Sequence, residues 1–303
     1  MDKKKLYAGL ISLLVLAAIF TVVFYHYAMN IESKQTLAAN DSRLDSAALQ
    51  KPIVFIGVIS RYPPNIIYHG YQPVLDFLTS RTPYRFELKL SDDYTQVVQM
   101  LIRKEIAAAF LGSYVYVQAH KEYGIIPILK PLNENAEPFS RSVLFTSISS
   151  SIYNVEELKG KRIALPSPES FSSNWLLKRE LPGRHFRSTD LAEIKHFPHH
   201  QSVIQYVSKN MFDAGVTREY LIKRLVNKTL RVLQYSEPYP TSPLVVAADY
   251  PRDIVAAITR ALLSVNQTNP DRIALTQRWD EEFRHGFVAA SDSDYNIIRS
   301  VSH

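Results

Sequence analysis

Ile106-Ala107-Ala108-Ala109-Phe110-Leu111-Gly112-Ser113-Tyr114-Val115-Tyr116 changes character at its middle, and that change decides the fold. Ile106 to Leu111 is a short apolar run of strand length with no alternation, as a strand buried on both faces requires. Gly112-Ser113 then opens a helix through Tyr114 to His120. A buried strand that turns tightly into a helix is half of a strand–helix unit, and repeated units of this kind make a mostly parallel sheet with helices on its faces.

The alternation extends upstream. Ile53-Val54-Phe55-Ile56-Gly57-Val58 reads as another fully buried strand, and Tyr62-Pro63-Pro64 breaks it into a loop. Tyr71, Val74, Leu75 and Leu78 then follow helical spacing until Pro83 closes the element. Phe86 to Leu90 alternates as a strand, and Val97, Val98, Leu101 and Ile102 mark an amphipathic helix from Tyr94 to Arg103. Asp92-Asp93 reads as a helix start, with Asp93 as the N-cap, rather than as a pair of catalytic acids.

A second series begins after Pro138. Val143 to Thr146 is strand-like, and Val155 to Gly160 reads as a short helix with a glycine stop. Arg162-Ile163-Ala164-Leu165 is a strand leading into Pro166-Ser167-Pro168-Glu169-Ser170, followed by a helix from Ser172 to Leu181 that ends at Pro182. His196 to Lys209 contains a helix with Val203, Ile204 and Val207 on one face. Phe212 to Val216 is a strand, followed by a helix through Leu225 and strands at Leu230 to Leu233 and Leu244 to Ala247. Helices are expected over Asp253 to Val265, after Pro251, and over Arg272 to Phe283. No fixed-period repeat runs through the chain.

The other end is of a different kind. Leu6 to Ala28 is one apolar run without Asp, Glu, Lys or Arg, long enough to span a bilayer as a helix. Met1-Asp2-Lys3-Lys4-Lys5 before it is a cytoplasmic tail by the positive-inside bias, and Phe24-Tyr25-His26-Tyr27 is suited to the interface. A cleaved signal peptide has a shorter apolar core and a nearby small-residue site, whereas Leu37-Ala38-Ala39 lies well past the run. The reading is therefore a single-pass anchor over 6–28, with the remainder outside; a cleaved signal or a buried core helix is the alternative. Residues 29–50, polar and without an apolar period, read as a tether.

The 303 residues are 46% hydrophobic, enough for one large domain or two lobes, and include no cysteine. That excludes disulfides, thiolate metal sites, cysteine nucleophiles and a lipid-modified N-terminal cysteine. A disulfide-free exported chain of this size suits a bacterial envelope, so the sequons at Asn227 and Asn266 carry no weight. The net charge of +6 includes the N-terminal lysines, and the other basic residues are dispersed, which argues against nucleic acid. His196, His199 and His200 could suggest a metal, but Pro198 separates them and nothing nearby completes a ligand set. Neither a Gly-x-Ser-x-Gly elbow, nor a phosphate loop, nor His-Glu-x-x-His is present.

Two α/β units, with the chain returning late to the first, imply a two-lobed protein with its ligand in the crevice at strand carboxyl ends. Two strand–helix junctions there are rich in hydroxyls. At Leu111-Gly112-Ser113-Tyr114, backbone N–H groups and two hydroxyls could converge on one anion. At Ser170-Phe171-Ser172-Ser173-Asn174, serines sit where the first N–H groups of a helix lack intrahelical partners. Uncharged donors and a helix dipole suit a phosphate-like oxyanion without arginine; simple N-capping is the alternative.

With these segments in order, the chain resembles the periplasmic phosphate/phosphite/phosphonate-binding family of ABC transporter receptors from about Ile53 to Val301. The resemblance rests on Gly57-Val58, Asp93-Tyr94, Leu111 to Tyr116, Leu158 to Ala164 and Pro168 to Ser173. It continues through His200 with Val203 and Val207, Phe212 to Gly215, Leu230 to Leu233, Ser236 to Pro240, Gly286-Phe287 and Asp292 to Arg299. It implies a type II periplasmic-binding fold, with lobe 1 over 51–142 and 245–303 and lobe 2 over 143–244. It also implies ligand contacts from Ser113, Tyr114, Ser170, Ser172, Ser173, His200 and Asp213, with Tyr62 a looser candidate. Phe171 stands where the family loop often has threonine, and Ser173 where it often has glycine.

The expected protein is a non-enzymatic, cofactor-free receptor held in a bacterial inner membrane, closing on a small oxyanion in the periplasm for ABC-type uptake. Its expected partners are that ligand, the membrane and an ABC permease. The crossing segments near Arg141 to Phe145 and Tyr235 to Leu244 are the expected hinge. A sensor subunit signalling to a membrane kinase, cyclase or chemoreceptor is the alternative, and a scaffold that binds no ligand a further one.

Overall fold

The computed structural model describes residues 16, 46–59, 62–91 and 93–302. Lys51–His303 forms one compact unit and Met1–Gln50 another, of which the helical turn Ser46–Leu49 is described. The apolar run at 6–28, apart from Leu16, lies outside the described residues, as do Asp92 and most of the expected tether. Among the described residues no helix is long and apolar enough to cross a membrane.

In the larger unit, β1 (Ile53–Val58) leads through Pro63 into α1 (Pro64–Arg81), where proline at the first helical position costs no hydrogen bond. α1 turns Ile67, Tyr71, Val74, Leu75 and Leu78 inward at helical spacing. β2 (Arg85–Leu90) follows, then α2 (Tyr94–Ile102). The Asp93 carboxylate accepts the N–H groups of Thr95 and Gln96 at 2.8 Å each, so it is the N-cap that the sequence predicts. β3 (Ala108–Phe110) opens into α3 (Ser113–Tyr123), which stops at Gly124 in the left-handed region (φ 67°). β4 (Ile126–Pro131) completes this stretch.

The chain then crosses through β5 (Phe139–Ser140) to β6 (Ser142–Ser147) and β7 (Arg162–Leu165). α4 (Phe171–Trp175) widens into one π turn over Leu176–Glu180 and continues through Leu181–Gly183. Next come β8 (Glu193–His196), α5 (His200–Ser208), β9 (Ala214–Arg218), α6 (Glu219–Ile222) and β10 (Leu230–Tyr235). The chain crosses back through β11 (Tyr239–Pro240) to β12 (Leu244–Val246). It ends with α7 (Arg252–Leu263), α8 (Arg272–Thr276), β13 (Phe287–Ala289) and α9 (Asn296–Ser302).

Two sheets result. The first has the order β13-β4-β12-β3-β1-β2 and the second β10-β6-β9-β7-β8; β5 and β11 pair as a separate ribbon where the two crossings run side by side. Most strands of each sheet run one way, β1 to β4 in the first and β7 to β10 in the second, but both sheets are mixed. β1 pairs parallel with β2 and β3, and β7 with β8 and β9, but β12, β13, β6 and β10 all run antiparallel to their neighbours. β6 and β12 enter directly from the crossing segments rather than over a helix, whereas a parallel return needs a long crossover, usually a helix.

β4, β8 and β13 are strands that hydrophobic pattern did not reveal, and α8 covers only the start of the helix expected over Arg272 to Phe283. The first sheet packs α1 and α7 around Phe110, Trp279 and Phe283. In the second sheet one face holds Leu144, Ile163 and Val216 against Trp175 and Leu176 of the α4 helix. The opposite face holds Val143, Phe145 and Ala164 against Val203 and Val207 of α5. That second contact is tight at Gly215, where an added Cβ would sit 2.8 Å from Val203 Cγ1 and 2.9 Å from Val207 Cγ2.

Candidate functional site

The two serine-rich junctions lie at carboxyl ends of strands, in different sheets. α3 starts straight after β3 with Gly112 as its N-cap, so no side chain caps it. Ser113 Oγ donates to the Pro240 carbonyl at 2.9 Å, tying this helix start to a crossing strand. Tyr114 points elsewhere: its hydroxyl accepts from Lys178 Nζ at 3.2 Å, and that ammonium sits 5.7 Å from its ring centroid.

At the second junction the serines divide by role. Ser170 is the N-cap of α4 and accepts the Ser172 N–H at 3.3 Å. Ser173 Oγ lies 3.0 Å from the carbonyls of both Pro166 and Ser167, so it closes its own loop. Ser172 alone turns outward: its Oγ lies 2.8 Å from Ser142 Oγ, which in turn lies 3.2 Å from the Tyr239 hydroxyl. Phe171 packs on Tyr239 with ring centroids 4.1 Å apart, and Ser142 and Ser172 are both buried. A chain of three hydroxyls thus joins α4, β6 and β11.

Arg218 ends β9 directly opposite Ser142 in the antiparallel register, so both side chains leave the second sheet on one face. Its guanidinium donates to Glu282 Oε1 at 2.8 Å, with the two side chains 9% and 4% exposed. Glu282 belongs to the segment whose neighbours Trp279 and Phe283 pack on the first sheet, so the pair joins the two sheets. Tyr62, in the loop after β1, makes a parallel connection: its hydroxyl lies 2.9 Å from that of Tyr220 in α6. A cavity of about 130 Å³ opens beside these contacts, bordered by Glu219, Tyr220, Lys223, Glu282 and His285. Burial first, then the nearby Arg272 charge, pushes the His285 imidazole below its usual value.

His200 and Asp213 do not join the serines. His200 opens α5 on the opposite face of the second sheet and shares a 3.0 Å hydrogen bond with Thr217 through Nδ1. Asp213 precedes β9, at the end of the sheet away from the Ser170 loop. Its carboxylate accepts the backbone N–H of Arg162 at 2.8 Å and pairs with that guanidinium at 3.2 Å. Burial raises the Asp213 carboxyl, but the Arg162 hydrogen bonds and charge outweigh it and hold the group below the ordinary aspartate value. Asp213 is therefore a strand-end clamp, and its assignment as a cleft residue is corrected. His196 and His200 also part, His196 bonding the Pro166 carbonyl at 2.7 Å. Among the described residues no three His, Asp or Glu side chains stand close enough to share a metal ion.

Ser142, Tyr239 and Arg218 went unnoticed in the site reading. The first two lie on the crossing segments expected as hinge, and Arg218 lies two residues past the strand expected over Phe212 to Val216, at the end of the longer β9 that forms; what hid them is that their partners are distant in sequence.

Two mixed sheets joined by paired crossings, with hydroxyls and one buried charge pair gathered between them, define an α/β periplasmic-binding-protein fold. The chain belongs to the family described as ABC transporter, phosphonate, periplasmic substrate-binding protein, whose model matches residues 56–295. It is a binding protein, not an enzyme, and its family places it in the periplasm. Solved structures agree on the fold. A binding component of an ABC phosphonate transporter from Pseudomonas aeruginosa superimposes with TM-score 0.71 at 16% identity, covering 84% of this chain and 86% of that one. PhnD1 from Prochlorococcus marinus in complex with methylphosphonate gives 0.70 at 15% identity, covering 82% and 97%. The aliphatic sulphonate binding protein SsuA from Escherichia coli gives 0.55 at 14% identity, covering 84% and 86%.

Proposed function

We propose that this protein is a membrane-tethered receptor that closes on a small tetrahedral oxyanion, phosphonate-, phosphate- or phosphite-like, and delivers it to an ABC permease. The observation that carries this reading is the outward-turned Ser172 hydroxyl, which meets Ser142 and Tyr239 instead of capping its own helix. Hydroxyls that donate or accept as required can surround an anion's oxygens, and helix starts add N–H groups and a favourable dipole. Ser113, at the start of α3, supplies the facing side.

Closure is a hinge motion of lobe 1 (51–142 and 245–303) against lobe 2 (143–244) about the β5–β11 ribbon. Ligand contacts from both lobes supply the differential affinity for the closed state. The apolar run Leu6 to Ala28 would keep the receptor near its permease.

Thermal unfolding of the intact chain against phosphate, phosphite, methylphosphonate, methanesulfonate and sulfate tests the proposal. A ligand at 100 times its dissociation constant stabilises the fold by about 2.7 kcal/mol. A shift with a phosphorus oxyanion that is lost in Ser172→Ala supports the site. No shift with any member of the panel refutes the receptor and favours a scaffold.

A further inference from the structure

Arg218 lies where the proposed ligand site needs a charge. Its side chain shares a face and a strand end with Ser142, the partner of Ser172. Its Nη2 lies 4.0 Å from the position a Cβ on Gly112 would take, so the guanidinium reaches the start of α3 as well. Between these helix starts runs the crossing segment, fixed by Ser113 Oγ to the Pro240 carbonyl and by the Leu111 N–H to the Pro243 carbonyl. Ser242 falls between those two contacts. It is 1% exposed, and its hydroxyl finds no hydrogen-bond partner among the described residues. Buried hydroxyls are nearly always bonded, so one left over on the segment fixed to the α3 start, which the Arg218 guanidinium also approaches, points to a missing acceptor.

The anion now held by Arg218 is the protein's own: the Glu282 carboxylate, at 2.8 Å. A carboxylate and a phosphonyl or sulfonyl group present a guanidinium with the same chemistry, oxygen acceptors that fit its planar fork. We propose that Arg218 and Ser242 form a charged anion subsite of the cleft, and that Glu282 is its resident occupant, displaced when an oxyanion enters. This inference rests on the receptor reading and deepens it: the site selects an anion carrying at least one full negative charge, and Glu282 sets the affinity by competition. A purely structural latch predicts the opposite consequence, because losing Glu282 would then loosen the closed form and weaken binding.

The test is calorimetric titration of the intact chain with methylphosphonate and inorganic phosphate. In Glu282→Gln the competitor loses its charge but keeps its shape, and affinity rises on the order of tenfold, the equivalent of about 1.4 kcal/mol. In Arg218→Met binding is lost, and it stays lost in Arg218→Met/Glu282→Gln, where removal of both charges keeps the fold and excludes misfolding as the cause. Ser242→Ala lowers affinity without moving the melting temperature. The proposal is overturned if the wild type binds either anion and Glu282→Gln binds it equally or more weakly, or if Arg218→Met/Glu282→Gln still binds. If no variant binds either anion, the receptor reading falls together with it; wild-type binding that Ser172→Ala abolishes and Glu282→Gln leaves unchanged overturns the subsite alone.

Discussion

Ser142 and Arg218 stand opposite each other in the pairing of β6 with β9, and each carries its sheet's link to a different part of the chain. Ser142 reaches α4 and β11 through Ser172 and Tyr239, while Arg218 reaches the first sheet's side through Glu282. One register pair thus places the hydroxyl chain and the buried charge side by side. Hydroxyls supply direction and the guanidinium supplies charge, a combination suited to oxyanions.

Breaking the charge pair from one side should be costly. Arg218→Ala leaves a carboxylate that is 4% exposed without its guanidinium. The expected loss is on the order of 3 kcal/mol, since removing one partner of a buried pair costs more than removing both. Arg218→Met/Glu282→Gln should recover most of it. Urea unfolding of the three proteins checks the order; equal losses in single and double variants would contradict it.

The neighbouring serines should behave differently. Ser173→Ala removes a donor that serves the Pro166 and Ser167 carbonyls, and should cost about 1 kcal/mol while leaving anion affinity alone. Ser172→Ala should cost no more in stability yet lower anion affinity at least about tenfold. Paired melting and titration measurements separate the two, and a shared affinity loss would place both serines at the ligand.

Acid should unfold the protein through its clamped carboxylates. Asp213 and Asp294 are each raised by burial but held lower by Arg162 and Lys130 respectively, with a net shift below the ordinary value. A carboxylate with a depressed folded-state pKa stabilises fully above the unfolded value, about 3.9 for aspartate, and loses that contribution as pH falls through the folded one. Melting temperature should therefore drop steeply below about pH 4. Asp213→Asn should lower it at pH 7 and flatten the acid limb without changing anion affinity.

Gly286 should not tolerate a side chain. It sits at φ 90°, and an added Cβ would lie 1.9 Å from the Val265 carbonyl oxygen. Left-handed strain alone costs about 1–3 kcal/mol, and a backbone collision adds to it. Gly286→Ala should lower stability by more than about 2 kcal/mol, with Gly124→Ala, which has open space around it, a milder control.

Much of the fold could be read from local signals. The buried strands at Ile53 and Ile106, the cap at Asp93 and the proline starts of α1 and α7 each depend on residues within one turn or strand. β8 escaped because Glu193-Ile194-Lys195-His196 is an edge strand with a half-wet surface and almost no apolar pattern. β13, at the edge of the first sheet, is only three residues long. The site was legible to the same depth: the two serine junctions stood out, whereas nothing local marks which serine turns outward or which charge comes to meet it.

The amino-acid order by itself determined the strand–helix alternation, the helix starts and stops, the family and the two hydroxyl-rich junctions, because periodicity, capping and turn chemistry act over a few residues. Only the tertiary structure decided strand direction, the outward turn of Ser172, the exclusion of Asp213 and the meeting of Arg218 with Glu282. Those depend on contacts between residues 64 positions apart for Arg218 and Glu282 and 97 apart for Ser142 and Tyr239. Packing the two sheets through a shared crossing ribbon brings such pairs together, and no short stretch of chain carries that information.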